Sequence, residues 1–236
     1  MKLNIKDTIK VGFAFFTICM FWQLYDTLLP LIMTNTFGLS DITRGFLMGL
    51  DNILALFLLP LFGSISDRFN GKRGRRTPFF VTGVILSAIL LITIAVVDHQ
   101  GLANLKKEGV LDNAKLYSKE YVTDSQILEY LNNDDYAEEA DFIVQYAIED
   151  GKVPADFNAK DDPGKFYELI PIKVEGKTSN AYLSLVIPAR EALAYDYTQS
   201  DPQLLIIFVA VLFLVLVAMA TYRSPAVALM PDVTPK

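Results

Sequence analysis

Gly63-Ser-Ile-Ser-Asp67-Arg68-Phe-Asn-Gly71-Lys72-Arg73-Gly74-Arg75-Arg76-Thr77-Pro78-Phe79 is the stretch on which the reading of this chain turns. Arg68, Lys72, Arg73, Arg75 and Arg76 crowd into residues 64–77, and an apolar run of about twenty residues lies on either side: Ile42 to Gly63 before it, Pro78 to Val97 after it. At ~1.5 Å rise per residue each run is long enough to cross a hydrocarbon core ~30 Å thick. A short basic connection between two such runs marks two membrane helices joined on the positive, cytoplasmic side.

Two further runs complete the pattern. Val11 to Met33 contains the single charge Asp26, and Gln203 to Tyr222 contains none. Backbone polar groups must be satisfied within lipid, so all four runs are expected as helices. Lys2, Lys6 and Lys10 precede the first run, but it is too long for a signal peptide and no small-x-small cleavage site follows it. These lysines and Arg223 fall on the same side as the basic loop. Both termini are therefore expected in the cytoplasm and residues 98–202 outside the cell, in a multi-pass plasma-membrane protein.

Composition excludes other classes. Of 236 residues 52% are hydrophobic and 20% charged, with a formal net charge of −6, which argues against nucleic acid as a partner. One cysteine, Cys19, and one histidine, His99, leave no disulfide within the chain and no thiolate or histidine cluster for a metal. Nothing points to an enzyme or a bound cofactor, a coupling proton or Na+ apart.

The acidity is local. Asp98 to Asp201 carries 21 acidic and 10 basic side chains, net −11, leaving +5 for the rest. The segment is too long for a structureless loop and is expected to fold as a small α+β domain. Thr123-Asp-Ser-Gln126 reads as a capping box opening a helix with Ile127, Leu128 and Leu131 on one side. Asp135 to Glu138 opens another carrying Phe142, Ile143 and Tyr146, and Phe166 to Val174 and Tyr182 to Ile187 read as strands. The domains are thus 1–97 with the loop 64–77, the insert 98–202, and 203–236.

Polar groups inside the runs are the functional suspects. An ionisable group at the centre of a membrane helix costs ~2.5–3.5 kcal/mol on insertion scales. Asp26 lies 15 residues past Val11 and Asp51 12 residues before Gly63, about 22 Å and 18 Å at helical rise, so antiparallel neighbours hold both in one layer. Two carboxylates sharing a desolvated layer do not both ionise cheaply, which is the physics of a coupling-ion site. Trp22, Gln23 and Tyr25 surround Asp26, and Asn52 adjoins Asp51. An aromatic plate with amide and hydroxyl groups suits a sugar, although Trp and Tyr also populate interfacial belts. Gly45-x-x-x-Gly49 offers a close helix approach, and Pro30 and Pro60 are expected to bend or stop their helices near the span ends.

In the basic loop, Asp67 can accept from a guanidinium and the arginines offer forked donors, enough to latch two bundles together on one side. The pattern Gly63-x-x-x-Asp67-Arg68, followed by glycine and basic residues, resembles the loop between helices two and three of the major facilitator superfamily. Arg73-Gly74-Arg75-Arg76-x-Pro78-Phe79, with Tyr222-Arg223-Ser-Pro225-Ala-Val-Ala228-Leu229-Met-Pro-Asp232, is similar to the branch of the sucrose transporters and the glycoside–pentoside–hexuronide:cation symporters.

That resemblance implies an all-α polytopic bundle of which this chain supplies the first four helices. It implies a proton- or cation-coupled symporter of a sugar or glycoside, completed by further helices from the same full-length chain or a second one. It places Gly63, Asp67, Arg68, Gly74, Arg75, Arg76, Arg223 and Asp232 in a cytoplasmic gating network. Melibiose-type members use carboxylates on helix four; Gln203 to Tyr222 has none, which favours proton coupling through Asp26 or Asp51. The alternative is a four-helix membrane anchor displaying residues 98–202 as an extracellular receptor or scaffold.

Overall fold

The computed structural model describes residues 5–69 and 76–233. The chain divides into two compact units, 1–102 with 201–236, and 103–200. The first is an all-α membrane bundle. Its helices are α1 (Ile5–Asn35), α2 (Asp41–Arg68), α3 (Thr77–Lys107, whose last turns belong to the second unit) and α9 (Gln203–Val233). All four are long and apolar enough to cross a membrane. At 28 to 31 residues they measure about 42–46 Å, longer than the apolar runs that announce them.

The extra length has local causes. A charge ends an apolar run without ending a helix: α3 passes straight through Asp98 and His99, and its end is set by a glycine ten residues further on. Gly109 adopts φ +63°, and the N–H groups of Gly109 and Val110 return to the carbonyls of Lys106 and Leu105 in a Schellman closure. Pro30 and Pro60 lie inside α1 and α2, which continue beyond them to Asn35 and Arg68 instead of stopping there. Ser40 caps α2, its Oγ accepting from the Thr43 N–H at 3.4 Å.

Packing centres on α9. Phe21, Tyr25, Leu29 and Met33 recur every fourth residue on α1, giving one buried stripe, and meet Phe208, Leu212, Val215 and Tyr222. The Phe37 and Phe208 rings lie 5.0 Å apart at one end of this seam and Phe21 and Tyr222 6.1 Å apart at the other. Around Tyr222 the helices approach closely: a Cβ on Gly83 would lie 2.8 Å from that of Tyr222, and one on Gly63 2.9 Å from Ser224 Oγ. The expected close approach at Gly45 and Gly49 does not occur among the described residues, where no atom lies within 4 Å of a Cβ on either. The outward faces stay apolar, with Phe13, Phe16, Leu56, Phe57 and Ile92 exposed, as lipid-facing surface requires.

The second unit contains α4 (Asn113–Leu116), α5 (Asp124–Leu131), α6 (Ala137–Glu149), α7 (Pro163–Leu169), α8 (Ile187–Ser200) and a two-stranded hairpin, β1 (Lys173–Val174) with β2 (Lys177–Thr178). Ile127, Tyr130, Ile143, Phe166, Tyr167, Ala181 and Val186 form its core. The capping box at Thr123 and Gln126 is present. Of the side chains assigned to the next helix, Ile143 is buried whereas Phe142 and Tyr146 are exposed.

Both expected strands are overturned over most of their length. Asp162 accepts from the Lys165 N–H at 3.0 Å and Pro163 opens α7, so residues 166–169 are helical. Ser179 receives the N–H of Tyr182 at 3.1 Å and starts a π-helical turn, Tyr182–Val186, that runs into α8. The β content is the short hairpin alone among the described residues.

Candidate functional site

Three of the four membrane helices bring chemistry to one place. Asp51 on α2 is 8% exposed, and Tyr25 on α1 is 1% exposed. Trp22, one turn before Tyr25, stacks on it with centroids 6.1 Å apart and planes 29° from parallel. Arg223 on α9 sets its guanidinium carbon 4.6 Å from the Trp22 ring centroid, a cation–π contact worth ~0.5–2 kcal/mol depending on desolvation. Trp22, Asp51 and Arg223 line one cavity of ≈ 10 Å³, walled by Leu58, Leu216 and Met219, with room for roughly one water.

The electrostatics are those of a compensated charge in a poor solvent. Asp51 lies within the field of Arg223 and of Asp26, and Tyr25 within that of both carboxylates. Arg223, half-buried, offsets part of the Asp51 charge across the cavity that both line. The Tyr25 hydroxyl is buried without a hydrogen-bond partner among the described residues. Ser87 and Tyr222 also bury their hydroxyls, facing each other without closing a well-formed bond. An unsatisfied buried hydroxyl costs about 1–3 kcal/mol, and such costs gather where a site must accept something.

The six residues expected around Asp26 and Asp51 therefore divide. Trp22, Tyr25 and Asp51 come together; Gln23, Asp26 and Asn52 are exposed, and Gln23 Nε2 donates to Thr27 Oγ1 at 3.1 Å. Tyr25 and not Asp26 is the α1 group that turns inward, because it sits on the buried four-residue stripe. Arg223 is placed differently from its expected position after the last span. α9 does not end at Tyr222, so Arg223 is a helical residue beside Trp22. The signal was available: no helix terminator separates Tyr222 from Arg223, and an arginine continuing a membrane helix needs a partner.

In the loop, Arg76 donates to Asp67 Oδ1 from Nη2 at 2.8 Å and from Nε at 3.2 Å, across nine residues of chain. Arg76 is 17% and Asp67 59% exposed. Gly63 faces Ser224, and Arg68 is the exposed last residue of α2. Gly74 and Arg75 lie outside the described residues, as does the side chain of Asp232, which falls in the last turn of α9. At the opposite end of the bundle Asp98 accepts from Thr36 Oγ1, and Arg44 donates to Thr34 Oγ1 and Asp41. No group of metal-ligating side chains occurs among the described residues.

A family model described as the Major Facilitator Superfamily matches residues 11–105, which hold nearly all of α1, the whole of α2 and almost all of α3. No curated protein and no solved structure matches the chain. The match is to the superfamily at large and does not support the narrower sucrose and glycoside branch. Over residues 11–105 the chain is similar to the Major Facilitator Superfamily, a likeness that, with four membrane-length helices, points in general terms to a membrane transporter.

Proposed function

We propose that the chain serves a proton- or cation-coupled symporter of a sugar or glycoside in the plasma membrane, with its termini and the basic loop cytoplasmic and residues 98–202 outside. The observation that carries this reading is the burial of Asp51 in a membrane helix beside Arg223. Ionised, Asp51 compensates the guanidinium. Protonated, it releases Arg223 and becomes a donor in the cavity that it lines with Trp22. Proton uptake thus changes which groups near Trp22 are open to a solute hydroxyl, and a solute that binds one state better shifts the equilibrium toward it. Rocking of two helical bundles about this layer then exposes it to either side, with Asp67 and Arg76 closing one face.

The test is uptake of labelled disaccharide by the intact protein in proteoliposomes under an imposed pH gradient. Asp51→Asn is expected to abolish gradient-driven accumulation while leaving exchange down a solute gradient. Accumulation equal to wild type in that variant would remove Asp51 from coupling. The receptor or scaffold alternative gains no support from the superfamily match.

A further inference from the structure

Independently of the membrane site, we propose that the second unit carries a binding cleft for a neutral carbohydrate. The cleft encloses ≈ 790 Å³, within the ~300–1,000 Å³ typical of small-molecule sites. Its wall is α6, where Phe142 and Tyr146 stand one turn apart on one face, 42% and 56% exposed. The core rings of the unit contrast with them: Tyr130, Phe166 and Tyr167 are at most 4% exposed. The opposite wall is the end of α7 and β1, from Ile170 to Val174. That second wall is braced by Tyr117, whose hydroxyl donates to the Ile170 carbonyl at 3.0 Å and whose ring lies 5.5 Å from that of Tyr167. The Phe142 and Tyr146 rings ride on α6, which Ala140 and Ile143 anchor in the core of the unit.

Charge selects the ligand class. Residues 103–200 hold 19 acidic and 10 basic side chains, net −9, yet the cleft is balanced: Lys152 and Lys173 against Glu168 and Glu175. Lys152 is paired with Asp150 at 2.9 Å and Glu168 with Lys165 at 2.8 Å, so the rim favours neither an anion nor a cation. It offers donors and acceptors together, with the Asn113 amide supplying both. A ligand that donates and accepts from many hydroxyls while presenting an apolar C–H face to two rings matches this lining; a nucleotide meets a strongly acidic surround, and a bare hydrocarbon would desolvate four charges.

The experiment is ligand-observed NMR saturation transfer on the whole chain in nanodiscs, with glucose, galactose, sucrose, lactose and raffinose as probes. At least one sugar is expected to bind saturably, with Tyr146→Ala and Phe142→Ala each weakening it about tenfold and Tyr146→Phe retaining it. Emission of Trp22, the chain's single tryptophan and part of the membrane site, is expected not to change on binding. Because both rings are exposed, the variants keep the wild-type melting transition. Saturable binding by none of the five sugars overturns the proposal. So does binding indifferent to both alanine variants, or binding that quenches Trp22, which would place the sugar among the membrane helices.

Discussion

Asp51 and Glu139 are both acids withdrawn from solvent, one in each unit, and they are treated in opposite ways. Glu139 is held by donors on every side: Ser179 Oγ at 2.8 Å, Asn180 Nδ2 at 2.7 Å, the Ala181 N–H at 3.0 Å and the Tyr130 hydroxyl at 3.3 Å. It pins α6 to the start of the π-helical turn. Asp51 has a cation in its field, a small cavity beside it and a neighbouring hydroxyl that no described group satisfies. A saturated network rigidifies, whereas a partly satisfied one can be changed by a proton or a solute. Glu139 thus fixes its part of the insert, whereas the membrane cluster keeps a buried hydroxyl without a described partner and a small cavity.

The sharpest way to break that contrast is to strand the membrane charge. Arg223→Ala removes the cation whose field reaches buried Asp51 and is expected to cost about 3 kcal/mol of stability in detergent. Arg223→Ala with Asp51→Asn should recover at least half of that loss, since no unpaired charge then remains. A double-mutant cycle on thermal unfolding measures the coupling, and strictly additive costs would mean that the two residues do not compensate each other. The same cycle applied to Glu139 and Ser179 should give a smaller coupling, because three other donors stay on the carboxylate.

Next in size is Glu139→Ala, expected to destabilise the insert by about 2 kcal/mol by orphaning the Ala181 N–H and the Ser179 hydroxyl. The effect should vary with pH in wild type and vanish in the variant. Burial pushes the Glu139 carboxyl up, but the bonds from Ala181, Ser179 and Asn180 outweigh it and hold its pKa below the ordinary value. A lowered folded pKa means that this stabilisation is fully present above about pH 4.3, the unfolded value, and is lost as pH falls through the folded one. Urea unfolding followed between pH 6 and pH 3 checks the sign.

Gly83→Ala is expected to cost about 1–2 kcal/mol, because the new methyl would lie 2.8 Å from Tyr222 Cβ, on a helix axis that cannot give way as a side-chain tip could. Gly45→Ala is the control: with nothing within 4 Å it should be neutral or slightly stabilising among the described contacts. Melting temperatures of the two variants compare them directly.

Much of this architecture was legible before any coordinates. The four helices follow from apolar runs of sufficient length, since lipid leaves the backbone no alternative. The capping box at Thr123 could be read because it is purely local. Helix ends were harder: α3 and α9 outlast their apolar runs, since continuation depends on propensity and on terminators such as Gly109, not on hydropathy. At residues 163–169 the Asp162-Pro163 start signal outweighs the apolar pattern that suggests a strand. In the site, Asp51 and Trp22 can be picked out as costly or conspicuous residues, whereas the apolar run stops at Tyr222 while its helix carries Arg223 on toward Val233. That Tyr25 turns inward and Asp26 outward is decided by packing against α9, which spacing on one helix does not fix.

The smallest expected effect lies at the Asp67–Arg76 pair, and it separates stability from movement. Asp67 is 59% exposed, so solvent screening limits the ion pair to about 0–1 kcal/mol even with two hydrogen bonds to one oxygen. Asp67→Asn should therefore barely shift the melting temperature. If the pair closes one face of the bundle, the same substitution slows solute exchange without weakening solute binding, because the latch contributes to one conformation and not to the site. Equilibrium binding and exchange measured on the same vesicles decide the matter: a fall in both would make Asp67 a structural residue, and a change in neither would leave the salt bridge without a part in alternating access.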